Sequence, residues 1–190
     1  MKKFILSAIL IISAAFGMSA ASPDLTINAG VGTSTWMGND SELSSPRFAY
    51  RVGLGVDMPI TGRFGFRTGL NFEKIGTNFE ESDLTLDQMY LEVPVMGTMR
   101  FGLRKVDLVF NAGPYLAVGV GGKIDFPDFG SYNTFGDNRL NRFDMGMGLG
   151  AGVEFNRFRV GIDTRYGFLH IADNSKVYNI AMFFNFGYRF

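Results

Sequence analysis

From Leu25 to Phe190 the chain alternates apolar with non-apolar residues at a period of two, the pattern of β-strands with two unlike faces. The clearest stretch sets Phe143, Met145, Met147, Leu149, Ala151, Val153 and Phe155 against Asp144, Gly146, Gly148, Gly150, Gly152 and Glu154. The same rule holds over 25–32, 48–58, 64–73, 90–101, 106–119, 158–167 and 178–190. These runs predict eight strands, each about the 9–11 residues of a tilted bilayer crossing or somewhat longer. The connections alternate in length. Short ones fall at 59–62, 102–105 and 156–157, and longer ones at 38–46, 76–86, 121–142 and 169–176. That rhythm predicts an all-β fold: an eight-stranded, antiparallel, up-and-down transmembrane β-barrel with both termini on the short-turn, periplasmic side. The 121–142 connection, with Asp125, Asp128, Asp137 and Asn138, is the longest candidate for an exposed loop.

Alternation alone does not say which face is inside. A soluble barrel hides its apolar face and shows Lys, Glu, Ser and Thr to water. Here the second face is Gly, Asn, Arg and acid. Glycine on a solvated strand face weakens the strand, whereas inside a narrow barrel it makes room for large charged side chains. The expected lumen therefore holds Arg51, Arg67, Arg100, Arg159, Arg165 and Arg189 against Asp57, Glu73, Glu92, Asp107, Asp144, Glu154 and Asp163. Buried charge persists only when paired, so these groups should interlock into an ionic core that plugs the barrel. The apolar face would then meet lipid. It carries aromatics near strand ends (Phe48, Tyr50, Phe64, Phe101, Phe143, Phe155, Phe158, Tyr166, Tyr188 and Phe190), as the interfacial girdles of membrane barrels do. A closed barrel also leaves no free strand edge in hydrocarbon.

The N-terminus changes the compartment. Lys2-Lys3, the apolar run from Phe4 to Ile12 and the small residues to Ser19-Ala20-Ala21 have the layout of a secretory signal peptide. The expected organisation is a cleaved signal peptide, 1–21, followed by a single outer-membrane barrel domain, 22–190. No later stretch has the about 18 consecutive apolar residues of a membrane helix. Loss of Lys2 and Lys3 turns 18 basic against 18 acidic residues into 16 against 18, a formal charge of −2. That balance argues against nucleic acid as a partner. With no Cys, disulfides and thiolate sites are excluded, and a single His makes an all-protein zinc site untenable.

Candidate chemistry is sparse. His170, with Asp173 and Ser175 close by, has triad-like residue types, but residues of one short loop rarely reach triad geometry. Glu92 and Glu154 could serve as paired carboxylates, yet the many arginines on their face favour ion pairing. The acids of the 121–142 connection lack EF-hand spacing, and the Gly-rich runs at 119–122 and 146–152 lack the strand-to-helix context of a phosphate cradle. No catalytic residue, cofactor or metal is expected.

Four tracts carry a family resemblance. They are Tyr90-Leu91-Glu92-Val93-Pro94-Val95, Asn111-Ala112-Gly113-Pro114-Tyr115 with 119–123, the run Gly148-Leu149-Gly150-Ala151-Gly152-Val153-Glu154, and the closing Gly187-Tyr188-Arg189-Phe190. Tyr166-Gly167-Phe168-Leu169 ahead of the polar Asp173-Asn174-Ser175-Lys176 adds to them. Over about 22–190 the chain resembles the PorT-like outer-membrane β-barrel proteins of Gram-negative bacteria. The resemblance implies an integral outer-membrane barrel, and its namesake takes part in protein secretion. The alternating aromatics Phe186, Tyr188 and Phe190 resemble the C-terminal signal read by the barrel-assembly machinery. The expected partners are outer-membrane lipid, that machinery during biogenesis, and an envelope-assembly or secretion protein met through the loops. A small pore or ligand-binding barrel is the alternative, and a lipid-modifying enzyme the third reading.

Overall fold

The computed structural model describes residues 23–39, 41, 43–79, 84–127, 130–135, 140–172 and 175–190. The proposed signal peptide lies outside them, as do Asp128, Asp137, Asn138, Asp173 and Asn174. Nine strands follow in chain order: β1 (Asp24–Gly38), β2 (Ser44–Thr61), β3 (Phe64–Phe79), β4 (Leu84–Leu103), β5 (Val106–Phe126), β6 (Gly130–Asn133), β7 (Phe143–Phe155), β8 (Phe158–Gly167) and β9 (Val177–Arg189). Each of the eight long strands pairs antiparallel with its neighbours. β4 joins β5, and β1 joins β9 from Thr26↔Arg189 to Gly38↔Val177, so the ring is closed.

The eight predicted strands are all present, and two departures concern the loop end. β4 and β5 run for 20 and 21 residues, about twice a bilayer crossing. The wall of β3, β4 and β5 therefore stands above the membrane band, and much of the expected 76–86 loop is strand. The 121–142 connection is not simply an exposed loop either. Its first residues continue β5, then fold back as the short β6, which pairs Lys123↔Asn133 through Phe126↔Gly130.

Turn chemistry explains the tight end. Gly62, Arg104 and Asn156 adopt left-handed backbone (φ 44°, 46° and 53°), which lets two-residue connections follow the strand twist. Pro94 sits inside β4 and cannot donate to the ladder, and the β3–β4 pairing lapses there, between Thr68↔Val95 and Asn71↔Glu92, without a change of register. The Thr68 hydroxyl donates to the Pro94 carbonyl instead, at 2.8 Å. Thr68 is therefore buried although strand parity had set it on the outward face, and Met58 likewise is buried.

The two faces separate by chemistry. Leu54, Val52, Leu149, Ile162 and Phe184 are half or more exposed at mid-strand, while Arg51, Asp57, Glu73, Glu92, Asp144, Glu154 and Arg165 are buried. Aromatics ring both ends of the outward face. Phe64, Phe155, Phe158 and Phe190 lie at the turn end, and Phe48, Phe143, Tyr166 and Phe168 at the loop end, all exposed. Tyr50, Phe101 and Tyr188, also expected there, are half-buried.

Candidate functional site

The lumen gathers most of the polar chemistry, and it is layered along the barrel axis. At the turn end, Asp57 accepts both Nε and Nη2 of Arg67, and Nη2 of Arg100 at 3.1 Å. Glu154 pairs with Arg100 at 3.2 Å and with Arg159. Arg189 reaches Asp24 at 3.6 Å and Glu154 only at 4.0 Å. Asp107 faces Glu154 across the β5–β7 ladder. A side chain shared between two partners in this way is fixed in direction, so the layer is a lattice of bonds rather than separate pairs.

The middle layer centres on Arg51 and Arg165. Arg51 donates to Asp163 at 2.8 Å and to Asn185 at 3.0 Å, and lies 3.9 Å from Glu92. Arg165 is held by three carboxylates at once: Glu73, Glu92 at 3.1 Å and Asp144 at 3.0 Å. Asn71, Asn179 and Tyr115 donate to the same acids. The guanidinium of Arg165 also stacks 4.3 Å over the Tyr115 ring, and that of Arg51 lies 4.5 Å over Phe183. Every Arg and acid expected in the lumen thus occupies the turn-end or middle layer.

Glycine makes these layers possible. A Cβ on Gly150 would fall on the Asp163 carboxylate and 2.7 Å from the Asn111 amide, and one on Gly146 would stand 2.7 Å from the Tyr115 hydroxyl. The small residues on β7 are therefore the counterpart of the large charged ones opposite.

The third layer was not visible in the sequence. Ile75, Tyr90, Phe183, Ala49, Ala117 and Ala181 pack an apolar cluster above the ions, with Phe135 from the connection after β6. Phe135 meets Tyr90 edge to face at 5.5 Å and would collide with any side chain at Gly119. Arg142 lies 5.6 Å over its ring and donates to its carbonyl at 2.8 Å. Neighbouring Thr134 is fully buried and donates to the Asp87 carbonyl at 2.6 Å. The loop-end mouth is thereby stoppered from within. Phe135→Ala should cost about 3–5 kcal/mol of stability, the usual penalty for truncating a buried aromatic, read as a lower urea midpoint in micelles.

A further cluster missed in the sequence sits where β2, β3 and β4 rise above the band. Arg47 and Lys74 both pair with Asp87, at 2.6 and 2.7 Å, and Arg47 also donates to Asn78. A register shift between Pro46 and Tyr50 brings Arg47 there, and no periodicity marks such a shift.

Of the triad-like residues, Asp173 lies outside the described ones, and His170 and Ser175 turn to other partners. His170 Nε2 lies 3.0 Å from the Tyr178 hydroxyl, whereas the Ser175 hydroxyl points to the Ala172 carbonyl. Glu92 and Glu154 lie in different layers, each engaged by arginine. Asp125 accepts from Ser131, and among the described residues no group of three or more His, Asp or Glu is arranged to hold a metal ion.

Solved structures share this fold. Ail, the attachment invasion locus protein of Yersinia pestis, matches at 19% identity and a TM-score of 0.50 over 90% of this chain and all of that one. Neisserial surface protein A matches at 11% identity and 0.54, over 90% of this chain and all of that one. The outer membrane enzyme PagL matches at 18% and 0.53, over 84% of this chain and 97% of that one. A search of curated proteins finds no match. The family model for the outer membrane protein beta-barrel domain matches residues 12–173.

Proposed function

Because this chain belongs to the outer membrane protein β-barrel domain family and resides in the outer membrane, we propose that it works as a closed barrel that offers its loop end to a partner. The carrying observation is the filled lumen, with Arg165 bound by three carboxylates and Phe135 seated in the mouth above them. A barrel of eight strands encloses only enough space for side chains, and here they leave cavities of only about 70 and 60 Å³ toward the turn end. What remains for recognition is the raised wall of β3 to β6 and its connections. The PorT-like resemblance supports an envelope-assembly or secretion protein as the partner. In planar bilayers the reconstituted protein should give no steady conductance, and a large stable current would favour the small-pore reading. Co-purification of an envelope protein that shields the loops from protease would identify the partner.

Enzymatic action on lipid is the third reading. Its sequence candidate, His170, engages Tyr178 rather than Ser175. Lipopolysaccharide incubated with the wild-type protein and with His170→Ala should give the same products as buffer alone.

Phe186, Tyr188 and Phe190 would serve assembly. Phe186 and Phe190 are outward and exposed, at the strand that closes the ring. Phe190→Ser should slow insertion into the outer membrane several-fold in pulse-chase while leaving refolding into detergent unchanged. Equal rates in cells would remove the signal role.

A further inference from the structure

The barrel wall ends at different heights around the ring. β5 continues to Phe126, whereas β7 begins at Phe143, opposite Val118, and β8 stops at Gly167. The 10 residues of β8 match one tilted crossing, about 9–11 residues. With Phe158 in the turn-end girdle, the residues just after β8 stand where hydrocarbon gives way to headgroups.

An open hollow of about 290 Å³ lies at that level, lined by Asn141, Arg142, Phe143, Leu169 and His170. Hydrogen bonds fix its walls. The Asn141 backbone N–H donates to the Ile171 carbonyl at 2.8 Å, and the Phe168 N–H to the Met145 carbonyl at 2.7 Å. The Asn141 side chain donates to the His170 carbonyl at 3.1 Å. Toward the bilayer, Tyr166 and Phe168 are exposed and meet edge to face at 5.9 Å. Tyr166 also stacks on Tyr178, which holds His170. Arg142 is exposed as well. It donates Nη1 to the Gly119 carbonyl at 3.2 Å and Nη2 to the Phe135 carbonyl. Both acceptors are uncharged, so these bonds aim the guanidinium without neutralising it, and they leave N–H donors over. No carboxylate lines the hollow.

We propose that this hollow seats the phosphate-bearing headgroup of an anionic lipid in the loop-end leaflet. The forked donors of a guanidinium match phosphate oxygens, and the His170 ring beside Arg142 adds a further polar contact. The acyl chains of the same lipid lie over Phe168 and Met145, both exposed on the outward face. A free oxyanion would leave that apolar flank uncovered. A zwitterionic headgroup would bring its own cation against Arg142. An anionic lipid satisfies both parts of the site at once.

The test uses the refolded protein in amine-oxide micelles, titrated with short-chain phosphatidic acid, with short-chain phosphatidylcholine, or with inorganic phosphate. Amide shifts at Phe143, Leu169 and His170 should saturate with phosphatidic acid alone. Arg142→Gln should weaken that apparent affinity about tenfold, as loss of one charge-assisted contact does. His170→Leu leaves Arg142 and its bond to Phe135 in place, and should weaken binding several-fold. Unchanged affinity in His170→Leu and in whatever Arg142→Gln refolds would overturn the site. Equal saturation with phosphatidylcholine or with inorganic phosphate would overturn the anionic-lipid assignment. Shifts of the same size and midpoint at Arg104 and Arg157, on the exposed basic turns, would reduce the effect to general attraction and overturn it too. The same shifts on concentrating the protein without lipid would give the hollow to a second copy of the chain instead.

Discussion

Arg165→Met should be the most damaging single substitution in this barrel. It removes the one cation that touches Glu73, Glu92 and Asp144, three acids that are all buried. Breaking a buried pair by deleting one partner costs about 3–5 kcal/mol, because the surviving charge has neither water nor counter-ion. Here Glu73 and Asp144 lose the one cation described against them and Glu92 keeps only Arg51 at 3.9 Å, so the loss should sit at the top of that range and prevent refolding. The measurement is the gel-mobility shift between folded and boiled protein, followed by a urea titration of whatever folds. Arg165→Lys should recover only part of the loss, since an ammonium cannot span acids from β3, β4 and β7 as a planar guanidinium does. Folding of Arg165→Met with wild-type stability would mean that the central layer contributes nothing to the structure.

Leu149→Arg should have the second largest effect, and it tests orientation rather than packing. Leu149 lies mid-way along β7 and is 58% exposed, facing away from the lumen. A charged side chain at the mid-plane of the lipid face of such a barrel costs roughly 2–4 kcal/mol, falling toward zero near the interfaces. The matched control is Phe155→Arg at the turn end of the same strand, which should be nearly neutral. Folding titrations into phospholipid vesicles read both. If Leu149→Arg is neutral and its neighbour Gly150 tolerates Arg freely, the faces are reversed.

These two substitutions sit in the part of the molecule that the sequence revealed. Over 143–155 and 158–167, strict alternation and a two-residue turn left one arrangement, and β7 and β8 keep those bounds. The lumen charges were legible for the same reason, because a period of two assigns a face to each residue and Gly beside Arg and acid suits only the inner one. Legibility failed where the period failed. Lys74-Ile75-Gly76-Thr77-Asn78 does not alternate, so the upper part of β3 read as loop. Register shifts near Pro46 and Met89 displace β2 and β4 without any compositional mark. Phe183 lies within Met182-Phe183-Phe184, where apolar neighbours conceal that it points inward. Phe135 is one of four aromatics in the 121–142 connection, and only its seat against Tyr90 and opposite Gly119 singles it out.

The β1–β9 seam has a bearing on how the protein is made. Its pairs join residues at opposite ends of the chain, Thr26 with Arg189 and Ala29 with Phe186. Ring closure therefore waits for the last strand to be synthesised, and the entropy lost in bringing such distant segments together is recovered only then. Until that moment β1 carries an unsatisfied row of amides and carbonyls that no acyl chain can solvate. Strand-by-strand entry would leave that edge bare in hydrocarbon, so crossing the bilayer and closing the ring are coupled in one step.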